Sequence, residues 1–483
     1  MKMFEHPIAE LTAPVSTEQP WESLLPAAPA GRTLGLSIAR AAVRWPVGIW
    51  GTLDAFVALL SVLYGHLLSP HFGTVQLRYD WTSAAAVFAA ALVASSYALG
   101  LYDRHNFASR IRIVSFSALA AFLALVVTTV LFGWLGFAHI GRLVLLGTFG
   151  LSVTMMVLLR VAARYLARRA RIQLMFVGRP GIFRRLESEL AGLYPGFYHA
   201  PLYVETDGQT TDCLDQLLAD FQRHRPDEIV VEDDEPLMLQ VVAACSHILG
   251  SGCTIAAHSA YFERLLGQVP VDVIDPRGML GEGLDIGPHR LELFKRGLDI
   301  LLASIGLLLA LPVMLVVALL IKLTSPGGPV FYTQTRVGRY GRPFSICKFR
   351  SMRTDAEAAG QPVWATTSDA RVTPLGRFLR RSRLDELPQL WNILRGDMSF
   401  VGPRPERPEF VHDLRTQIPY YDLRHLVPPG LTGWAQVRYR YGASVEDARQ
   451  KLAYDLYYVR RYSVLFDLAI CLRTLLAMAK GAR

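Results

Sequence analysis

The chain has 483 residues, of which 52% are hydrophobic, and its formal net charge is +9. This length exceeds what one hydrophobic core supports, and the apolar content indicates membrane segments. Its five cysteines form no Cys-x-x-Cys pair and its histidines show no ligand spacing, which argues against a disulfide scaffold or zinc centre. The positive charge favours anionic substrates or an anionic membrane surface. Nucleic acid is disfavoured, because the arginines interleave with apolar sequence.

The first half of the chain contains the signals for membrane insertion. Residues 1–45 are rich in proline and alanine, lack a signal-peptide pattern and form a predicted cytoplasmic tail. Four apolar runs follow, each of about the 20 residues that cross a bilayer. They lie at residues 46–68, 81–101, 114–137 and 143–161. We therefore predict a four-helix transmembrane bundle within residues 46–164.

The loop charges predict the orientation of these helices. Arginines concentrate before the first run, between the second and third, and after the fourth. The other two loops carry little positive charge, chiefly Arg78 and Arg142. By the positive-inside rule, both ends of the bundle and everything after Arg171 lie in the cytoplasm.

Residues 172–285 predict alternating strands and helices, as in a Rossmann-like parallel sheet. The candidate strands are 172–177, 228–231 and 253–257. The loop Gly178-Arg179-Pro180-Gly181 lacks the middle glycine of a dinucleotide-binding motif, and no third glycine follows at the right distance. We interpret this section as a structural or regulatory domain. The acidic run Glu232-Asp233-Asp234-Glu235 is interpreted as a solvated loop in preference to a metal site.

The last section, residues 291–483, opens with basic residues and an apolar run that ends at Ile321. A proline in the middle of this run removes a helical hydrogen bond, and basic residues flank both ends. The pattern predicts a re-entrant helix over 297–321, which enters the membrane, kinks and returns to the same face. A serine helps to satisfy its backbone groups in lipid. An ordinary spanning helix is the alternative. The residues assigned to this helix are Lys295, Arg296, Asp299, Ser304 and Pro312.

Further segments suit the surface of a membrane. The apolar stretch 466–479, interrupted by Arg473, fits an interfacial amphipathic helix. Several aromatic residues of this section also suit an interface. They are Trp391, Trp434, Tyr454, Tyr457 and Tyr458. The chain is thus predicted to be a membrane protein of α plus α/β class, with a transmembrane bundle, a Rossmann-like cytoplasmic domain and a monotopic domain.

Two adjacent acids, Asp385 and Glu386, precede Pro388 and a helical apolar pattern. That pattern places Leu387, Leu390, Trp391 and Leu394 on one predicted helix face. Proline is favoured in the first turn of a helix, so the two carboxylates are expected at a helix N-terminus. A carboxylate placed against a bound phosphate can coordinate its metal or attack the phosphorus. A charged first turn with ordinary dipole compensation is the alternative.

Four groups of basic residues accompany this acid pair. One such group is ordinarily a solvated surface, but four around one acid pair, beside a membrane-inserted helix, predict a site for several phosphates. The groups are Arg336, Arg339 and Arg342; Lys348, Arg350 and Arg353; Arg377, Arg380, Arg381 and Arg383; and Arg404.

Over about residues 291–483, these motifs resemble the bacterial sugar transferase family of monotopic polyprenyl-phosphate hexose-1-phosphate transferases. The matching motifs are Lys295-Arg296 with Asp299, then 329–338, 348–352, 384–390, 396–399, 402–405, 429–434 and 454–458. Four spans followed by a Rossmann-like section resemble the large form of the family, typical of capsule and exopolysaccharide initiation.

The resemblance implies a reaction in two steps. Asp385 attacks the β-phosphate of a UDP-sugar, expels UMP and holds the sugar phosphate as an aspartyl intermediate. The phosphate of undecaprenyl phosphate then attacks this intermediate. The resemblance also implies Mg²⁺ with Glu386 as its ligand, and phosphate binding by Lys348, Arg380 and Arg404. The predicted site further includes Arg350, Arg383 and metal coordination by Asp385.

The resemblance further implies a multi-pass protein of the bacterial inner membrane with its active site at the cytoplasmic face. Its expected partners are undecaprenyl phosphate, membrane lipid and a UDP-sugar, for which glucose and galactose are the family's common choices. A homodimer is compatible with it. The sequence leaves open the sugar, the oligomeric state and the ligand of the Rossmann-like section.

The residues by themselves support phosphoryl chemistry. Attack on a diphosphate needs charge neutralisation, which Mg²⁺ and guanidinium groups supply. An aspartate is already ionised at pH 7 and needs no general base.

Other functions remain as alternatives. A membrane-bound nucleotide-sugar dehydratase or epimerase needs an intact glycine fingerprint and a Tyr-x-x-x-Lys pair, and residues 172–285 contain neither. A transporter needs polar residues within the spans, where Asp54 is the main one. A glycosyltransferase would release UDP in place of UMP.

Overall fold

A computed structural model of the chain describes most of its length. The described residues are 47–68, 81–102, 109–134, 142–206, 210–245, 253–271, 289–354, 371–439, 442 and 444–479. The predicted tail, residues 1–45, lies outside them.

Four long helices open the described chain, and all four are long and apolar enough to cross a membrane. Helix α1 packs on α2 and α4, and α3 packs on the same two helices. Small and aromatic side chains such as Ala58, Phe88 and Ala121 fill the core between them. Small residues let the helix backbones approach closely, as membrane helices require. The helices are α1 (Val47–Leu68), α2 (Trp81–Ala98), α3 (Arg110–Trp134) and α4 (Arg142–Ala170).

A buried ion pair fastens α1 to α4. Arg160 donates hydrogen bonds of 2.9 and 2.7 Å to the two carboxylate oxygens of Asp54, and the Tyr102 hydroxyl donates another of 2.9 Å. Both charged side chains are only 1% exposed. Removing either one would leave its partner buried and uncompensated. Asp54, the main polar residue of the predicted spans, is therefore a structural contact between helices.

A four-stranded parallel sheet with strand order β2-β1-β3-β4 follows, and it includes the three strands that the sequence predicts. Strand β1 is buried on both faces, which is typical of parallel sheets covered by helices. The four-residue β2 escaped the sequence analysis, because so short a run after Pro201 gives little signal. The elements are β1 (Leu174–Gly178), α5 (Pro180–Leu193), β2 (Leu202–Glu205), α6 (Thr210–His224), β3 (Glu228–Val231), α7 (Glu235–Cys245), β4 (Thr254–Ala257) and α8 (His258–Leu266).

The acidic run after β3 contacts three different helices. Glu232 accepts a hydrogen bond of 2.7 Å from the backbone of Arg179, at the start of α5. Asp233 accepts bonds of 2.8 and 2.7 Å from the backbone and hydroxyl of Ser259, in the first turn of α8. Asp234 accepts a bond from the first turn of α7. The interpretation as a solvated loop is therefore wrong for Glu232 and Asp233, because helix N-termini attract these carboxylates.

The Glu232 carboxylate lies at the edge of the sheet where nucleotides bind in related folds. In those folds a pyrophosphate lies at the N-terminus of the helix after β1. Here the carboxylate of Glu232 occupies that position and also pairs with the Arg179 guanidinium. A Cβ atom at Gly178 would lie 2.7 Å from the Glu232 side chain, so the approach is tight. The backbone N–H of Arg179, at the start of α5, is thus satisfied by a side chain of the same chain.

The segment predicted to be re-entrant is part of one long helix, α9 (His289–Thr324), which continues through Pro312. It extends beyond the predicted 297–321 at both ends. It is long and apolar enough to cross a membrane. Only 11% of its most apolar 18-residue stretch is buried within the protein. Pro312 leaves the carbonyl of Leu308 without a helical donor. Ser304 does not supply one, because its hydroxyl donates to the carbonyl of Ile300 at 2.8 Å.

The first half of α9 is anchored to the C-terminal domain by its charged residues. Buried Lys295 donates to the carbonyl of Val401 at 3.1 Å and forms an ion pair with Asp467 at 2.7 Å. Arg296 donates to two carbonyls at the end of helix α11 (Gln389–Arg395), at 2.5 and 2.6 Å. Asp299 accepts a hydrogen bond of 3.2 Å from the backbone N–H of Phe400, in strand β7 (Ser399–Val401).

The second half of α9 packs on the same domain. Val317 and Ile321 share a hydrophobic cluster with Phe349 and Leu379. Beyond the helix, the carbonyl of Ser325 accepts a hydrogen bond from Arg350. Both ends of α9 therefore contact one domain, a geometry that a re-entrant path needs. The path through the membrane stays a prediction.

The C-terminal domain combines a hairpin, short helices and a small parallel pair of strands. Strands β5 and β6 pair antiparallel, and β7 pairs parallel with β8. The elements are β5 (Phe331–Val337), β6 (Pro343–Phe349), α10 (Pro374–Ser382), α11 (Gln389–Arg395), β7 (Ser399–Val401), α12 (Pro408–Gln417), β8 (Gly430–Thr432), α13 (Trp434–Arg438), α14 (Val445–Arg460) and α15 (Val464–Ala479).

Two sequence interpretations need correction here. The buried face of α11 is formed by Leu390 and Ile393, whereas Trp391 is 54% exposed. Trp434 and Tyr458 are buried in the domain core, so they are not membrane-interface residues. The helical pattern grouped Trp391 with Leu387, Leu390 and Leu394, but the buried side of α11 also contains Asn392, whose side chain hydrogen-bonds to the backbone of β6.

The C-terminal domain contacts both upstream parts. In α15, Arg473 donates to the carbonyl of Ala98 at the end of α2, at 3.2 Å. Trp434 donates to the carbonyl of Gly267 at 2.7 Å, just after α8. Glu263 of α8 accepts a hydrogen bond of 2.8 Å from Arg460. Helix α15, predicted as an interfacial helix, also packs against α2.

Candidate active site

The acid pair lies in a single 3₁₀ turn, Leu384–Glu386, between α10 and α11. Arg383 ends α10 in the left-handed conformation, with φ of 56°. Few non-glycine residues adopt this conformation, and it turns the chain sharply into the acid pair. The carboxylates therefore precede α11 by one turn, close to the helix N-terminus at which the sequence predicted them.

Three cations surround Glu386. Lys348 Nζ lies 3.6 Å and Arg404 Nη2 lies 3.5 Å from Oε1, and Arg383 Nη1 lies 3.5 Å from Oε2. The Glu386 side chain is 12% exposed. Burial raises the pKa of Glu386, but the charges of Arg404, Lys348 and Arg383 outweigh it and hold this pKa below its usual value. Glu386 is therefore a stable anion inside a cationic ring.

Asp385 has a different environment from its neighbour. Its side chain is mostly buried, with the residue 8% exposed. Burial first, and then the charge of Glu386, raise the pKa of Asp385 to about 6. Among the residues that the structure describes, none donates a hydrogen bond to its carboxylate. Asp385 is thus largely ionised at pH 7 and poorly solvated, which favours nucleophilic attack.

Lys348 lies at the end of the β5–β6 hairpin, opposite Tyr332. Burial, followed by the charge of Arg404, lowers the pKa of Lys348 to about 8. The ammonium is still mainly protonated at pH 7 and can pair with an incoming phosphate.

The remaining predicted phosphate ligands differ in position. Arg380 donates to the hydroxyl of Ser351 at 2.9 Å and lies close enough to Asp385 to lower its pKa. Arg350 donates to the carbonyl of Ser325, at the end of α9, and is 8% exposed. Its contacts join the helix to the domain, and no described contact links it to the acid pair. Phosphate binding by Arg350 stays a prediction.

Hydrogen bonds hold the backbone of the segment that carries Arg404. Four consecutive carbonyls, of residues 403–406, each accept a hydrogen bond from another part of the domain. The donors are the backbone of Gly430 at 2.9 Å, the guanidinium of Arg424 at 3.1 Å, the guanidinium of Arg336 at 3.3 Å and the backbone of Val337 at 2.9 Å.

Arg424 was absent from the sequence-based site. It lies in the 3₁₀ segment Tyr421–Leu426, which carries no recognisable motif. The signal that could have found it is its partner, Asp455, a buried acid within the Tyr-Asp-Leu-Tyr-Tyr motif. A buried acid needs a cation, but the sequence does not say which of the many arginines supplies it.

The metal-binding capacity of the site is limited to its two carboxylates. Within the described residues, no group of three or more histidine, cysteine or acidic side chains could hold a metal. Mg²⁺ binds proteins through one or two carboxylates together with waters and substrate phosphates. Asp385 and Glu386 fit this mode, because the diphosphate of a substrate would supply further oxygens and offset the surrounding cations.

A buried acid pair beside clustered cations, on a domain anchored by an apolar helix, defines an enzyme-like site for phosphate substrates at a membrane. The chain belongs to the bacterial sugar transferase family, whose sequence model matches residues 290–481. The exopolysaccharide production protein PSS of Rhizobium leguminosarum bv. phaseoli is 41% identical over 194 residues, which cover 38% of this chain and 94% of that protein.

Larger relatives match over part of their length. A UDP-N-acetylgalactosamine-undecaprenyl-phosphate N-acetylgalactosaminephosphotransferase of Aeromonas hydrophila is 44% identical over 220 residues, 45% of this chain and 51% of that protein. The UDP-glucose:undecaprenyl-phosphate glucose-1-phosphate transferase of Escherichia coli K12 is 46% identical over 185 residues, 38% of this chain and 39% of that protein. The match thus spans about half or less of these two relatives.

Proposed function

We propose that this protein transfers a sugar 1-phosphate from a UDP-sugar to undecaprenyl phosphate and releases UMP, as the first membrane step of exopolysaccharide or capsule synthesis. The observation that carries the proposal is the buried Asp385 carboxylate, which accepts no described hydrogen bond, beside Glu386 and its ring of three cations. The names of the relatives, which specify UDP-sugars and undecaprenyl phosphate, support the substrate class.

In the first step, an oxygen of Asp385 attacks the β-phosphorus of the UDP-sugar. The bond from this phosphorus to the bridging oxygen breaks, and UMP leaves with that oxygen. In the second step, a phosphate oxygen of undecaprenyl phosphate attacks the same phosphorus and frees the Asp385 carboxylate. Neither step requires a proton, because both leaving groups are anions that the site's cations stabilise.

The surrounding residues have distinct roles in this proposal. Lys348, Arg380 and Arg404 pair with the phosphate oxygens as negative charge develops on the leaving group. Glu386, with Asp385, would hold Mg²⁺ against the diphosphate. When bound, Mg²⁺ supplies charge neutralisation as a Lewis acid.

In the proposed architecture, a water-soluble donor and a lipid acceptor meet at one interface. In this proposal residues 46–164 form a four-helix transmembrane bundle, 172–285 a Rossmann-like cytoplasmic domain, and 291–483 the catalytic domain at the cytoplasmic face of the inner membrane. The re-entrant path of α9 is supported by its contacts with one domain through both halves. Its exposed apolar side chains, such as Leu308 and Leu309, would then face lipid.

The test is product analysis with purified full-length protein and undecaprenyl phosphate. UDP-glucose, UDP-galactose and UDP-N-acetylgalactosamine are offered separately, and UMP release is measured for each. Release of UMP by the wild type, with none by Asp385→Asn, supports the proposal. Release of UDP would identify a glycosyltransferase instead, and a converted nucleotide-sugar without UMP would identify a dehydratase or epimerase. A homodimer is compatible with this proposal, and the mass of the particle in detergent tests it.

A further inference from the structure

We infer that Arg424, held by Asp455, is a positioning residue that sets the place of Arg404 in the active site. This inference rests on the proposed function only in that Arg404 binds the phosphate substrate. Arg424 itself does not touch the acid pair in the described structure. Its effect passes through the backbone of Arg404.

The segment around Arg404 depends on outside donors for its shape. Pro403 and Pro405 have no backbone N–H, so the segment forms few hydrogen bonds of its own. The carbonyl of Arg404 accepts a bond of 3.1 Å from Arg424 Nη2. On the other side of the same residue, the Arg404 guanidinium lies 3.5 Å from Glu386. Arg424 thus holds the main chain of a residue whose side chain reaches the site.

Arg424 is itself rigidly held. Its side chain is 5% exposed and that of Asp455 is 2% exposed. Its Nε and Nη2 atoms both donate to one oxygen of Asp455, at 3.1 and 2.8 Å. Its Nη1 atom donates to the hydroxyl of Tyr421 at 2.7 Å. Each nitrogen of the guanidinium therefore has a partner, and the plane of the fork determines where the Arg404 carbonyl lies.

The geometry gives a reason for burying this ion pair. A buried pair alone adds little to stability and can be replaced by apolar residues. Here Arg424 also donates a hydrogen bond to the backbone carbonyl of Arg404, a residue of the site. Supporting contacts of this kind matter because a misplacement of about 1 Å at a reacting centre can cost about 100-fold in rate. A lysine keeps the charge but cannot reach Asp455, Tyr421 and the carbonyl together.

The test is a double-mutant cycle with UMP release and UDP-sugar affinity as readouts. Arg424→Lys should lower kcat/KM at least tenfold in the wild-type background, because Arg404 loses its fixed position. In an Arg404→Ala background, the same substitution should change kcat/KM less than twofold, because nothing remains to be positioned. The dissociation constant of the UDP-sugar, measured in Asp385→Asn protein without turnover, should show the same non-additivity.

The control is Arg415→Lys, an exposed arginine that pairs with Asp422 at 2.9 Å and has no described contact with Arg424, Asp455 or Arg404. It should stay within twofold of its parent in both backgrounds. Tyr421→Phe removes one bond to Arg424 without leaving a buried charge unpaired. It should give a severalfold loss that also disappears in the Arg404→Ala background, and it decides the case if Arg424→Lys fails to fold.

Equal fold-losses in both backgrounds would overturn the inference, because Arg424 would then act independently of Arg404. A folded Arg424→Lys protein with wild-type kinetics would overturn it too. Failure of the proposed function has a different signature, since the wild-type protein would then release no UMP from any UDP-sugar.

Discussion

At the residue scale, two neighbouring groups titrate on opposite sides of neutrality. Burial raises the pKa of Asp385 to about 6 and lowers the pKa of Lys348 to about 8. Between these values the proposed nucleophile is an anion and the neighbouring ammonium is still a cation. The same burial that shifts both groups also removes water that would compete for the phosphate.

The first prediction concerns the pH dependence of the UMP burst measured without undecaprenyl phosphate. Its rate should rise as the pH increases through about 6, because Asp385 must lose its proton to attack. It should fall above about 8, because Lys348 then loses its charge. Lys348→Arg should remove the upper limb, since a guanidinium does not titrate in this range. A wild-type burst that is flat between pH 5 and 9 would contradict this assignment.

A second prediction concerns the stability of Asp385→Asn. A carboxylate whose folded pKa is raised destabilises the fold once it ionises, so wild-type stability should decline as the pH rises through about 6. The amide stays neutral, so Asp385→Asn should melt at a higher temperature than the wild type at pH 7. The difference should shrink below pH 4. Thermal melts across this range check it; a lower melting temperature at pH 7 would show that Asp385 stabilises the fold.

Glu386 leads to a third prediction, about the metal. Three cations contact this carboxylate, so Mg²⁺ should bind well only after an anionic substrate has offset them. Calorimetry should therefore detect Mg²⁺ binding to Asp385→Asn protein more strongly with UDP-sugar than without it. Glu386→Gln should lose the enhanced binding, whereas Glu409→Gln, at an exposed acid of α12, should keep it. Equal Mg²⁺ affinity with and without the nucleotide-sugar would refute the idea.

At the element scale, helix α9 connects the domain that contains the candidate active site with the predicted membrane. Its N-terminal charges contact the carbonyls and acids of the C-terminal domain, and its apolar second half packs on the β6 and α10 region. An amphipathic surface helix would turn one polar side outward, but most of the exposed side chains of α9 are aliphatic. This composition needs lipid on the outer side.

The fourth prediction therefore concerns the path of α9. Single cysteines placed just before Lys295 and just after Lys322 should both resist a membrane-impermeant reagent added outside intact cells. Pro312→Leu restores the missing backbone donor and favours a straight spanning helix, which should expose the second position and abolish activity. Leu311→Val, a neighbouring substitution that keeps the proline, should change neither property. Outside labelling of the wild-type second position would establish a spanning helix.

At the scale of the whole molecule, the described contacts of the site come from residues 325–455, but the domain also packs against sequence that precedes it. Val269 and Val271 are buried against Tyr421 and Leu452, and the Val269 backbone donates to the carbonyl of Ala453 at 2.9 Å. Burying each valine contributes about 2 kcal/mol. The predicted boundary near residue 285 therefore omits residues that pack in the C-terminal core.

The fifth prediction compares two fragments in detergent. A fragment that begins at residue 285 should still release UMP, because the residues of the proposed mechanism all follow Leu291. A fragment that begins at residue 268 should melt at a higher temperature, because it keeps both valines. Val269→Ala with Val271→Ala in the longer fragment should remove most of this advantage. A folded but inert longer fragment would mean that the upstream helices or the sheet help to form the site.

The sequence by itself determined the membrane helices, the parallel sheet and the location of the acid pair. These features depend on local patterns, namely runs of about 20 apolar residues, alternating strands and helices, and dense motifs around Asp385. Local patterns of this kind can be recognised without knowing which distant residues are in contact. It failed at Trp391, because the buried side of α11 also contains the polar residue Asn392, which hydrogen-bonds to β6.

Only the tertiary structure decided which charges meet. It paired Arg424 with Asp455 across 31 residues, directed Arg350 to the end of α9, and placed Glu232 and Asp233 against two helix N-termini. The chain has 50 basic and 41 acidic side chains, and nothing in their spacing identifies partners distant in sequence. Burial selects the partners, because a charge taken from water is tolerated only where the fold brings its counter-charge within hydrogen-bonding distance.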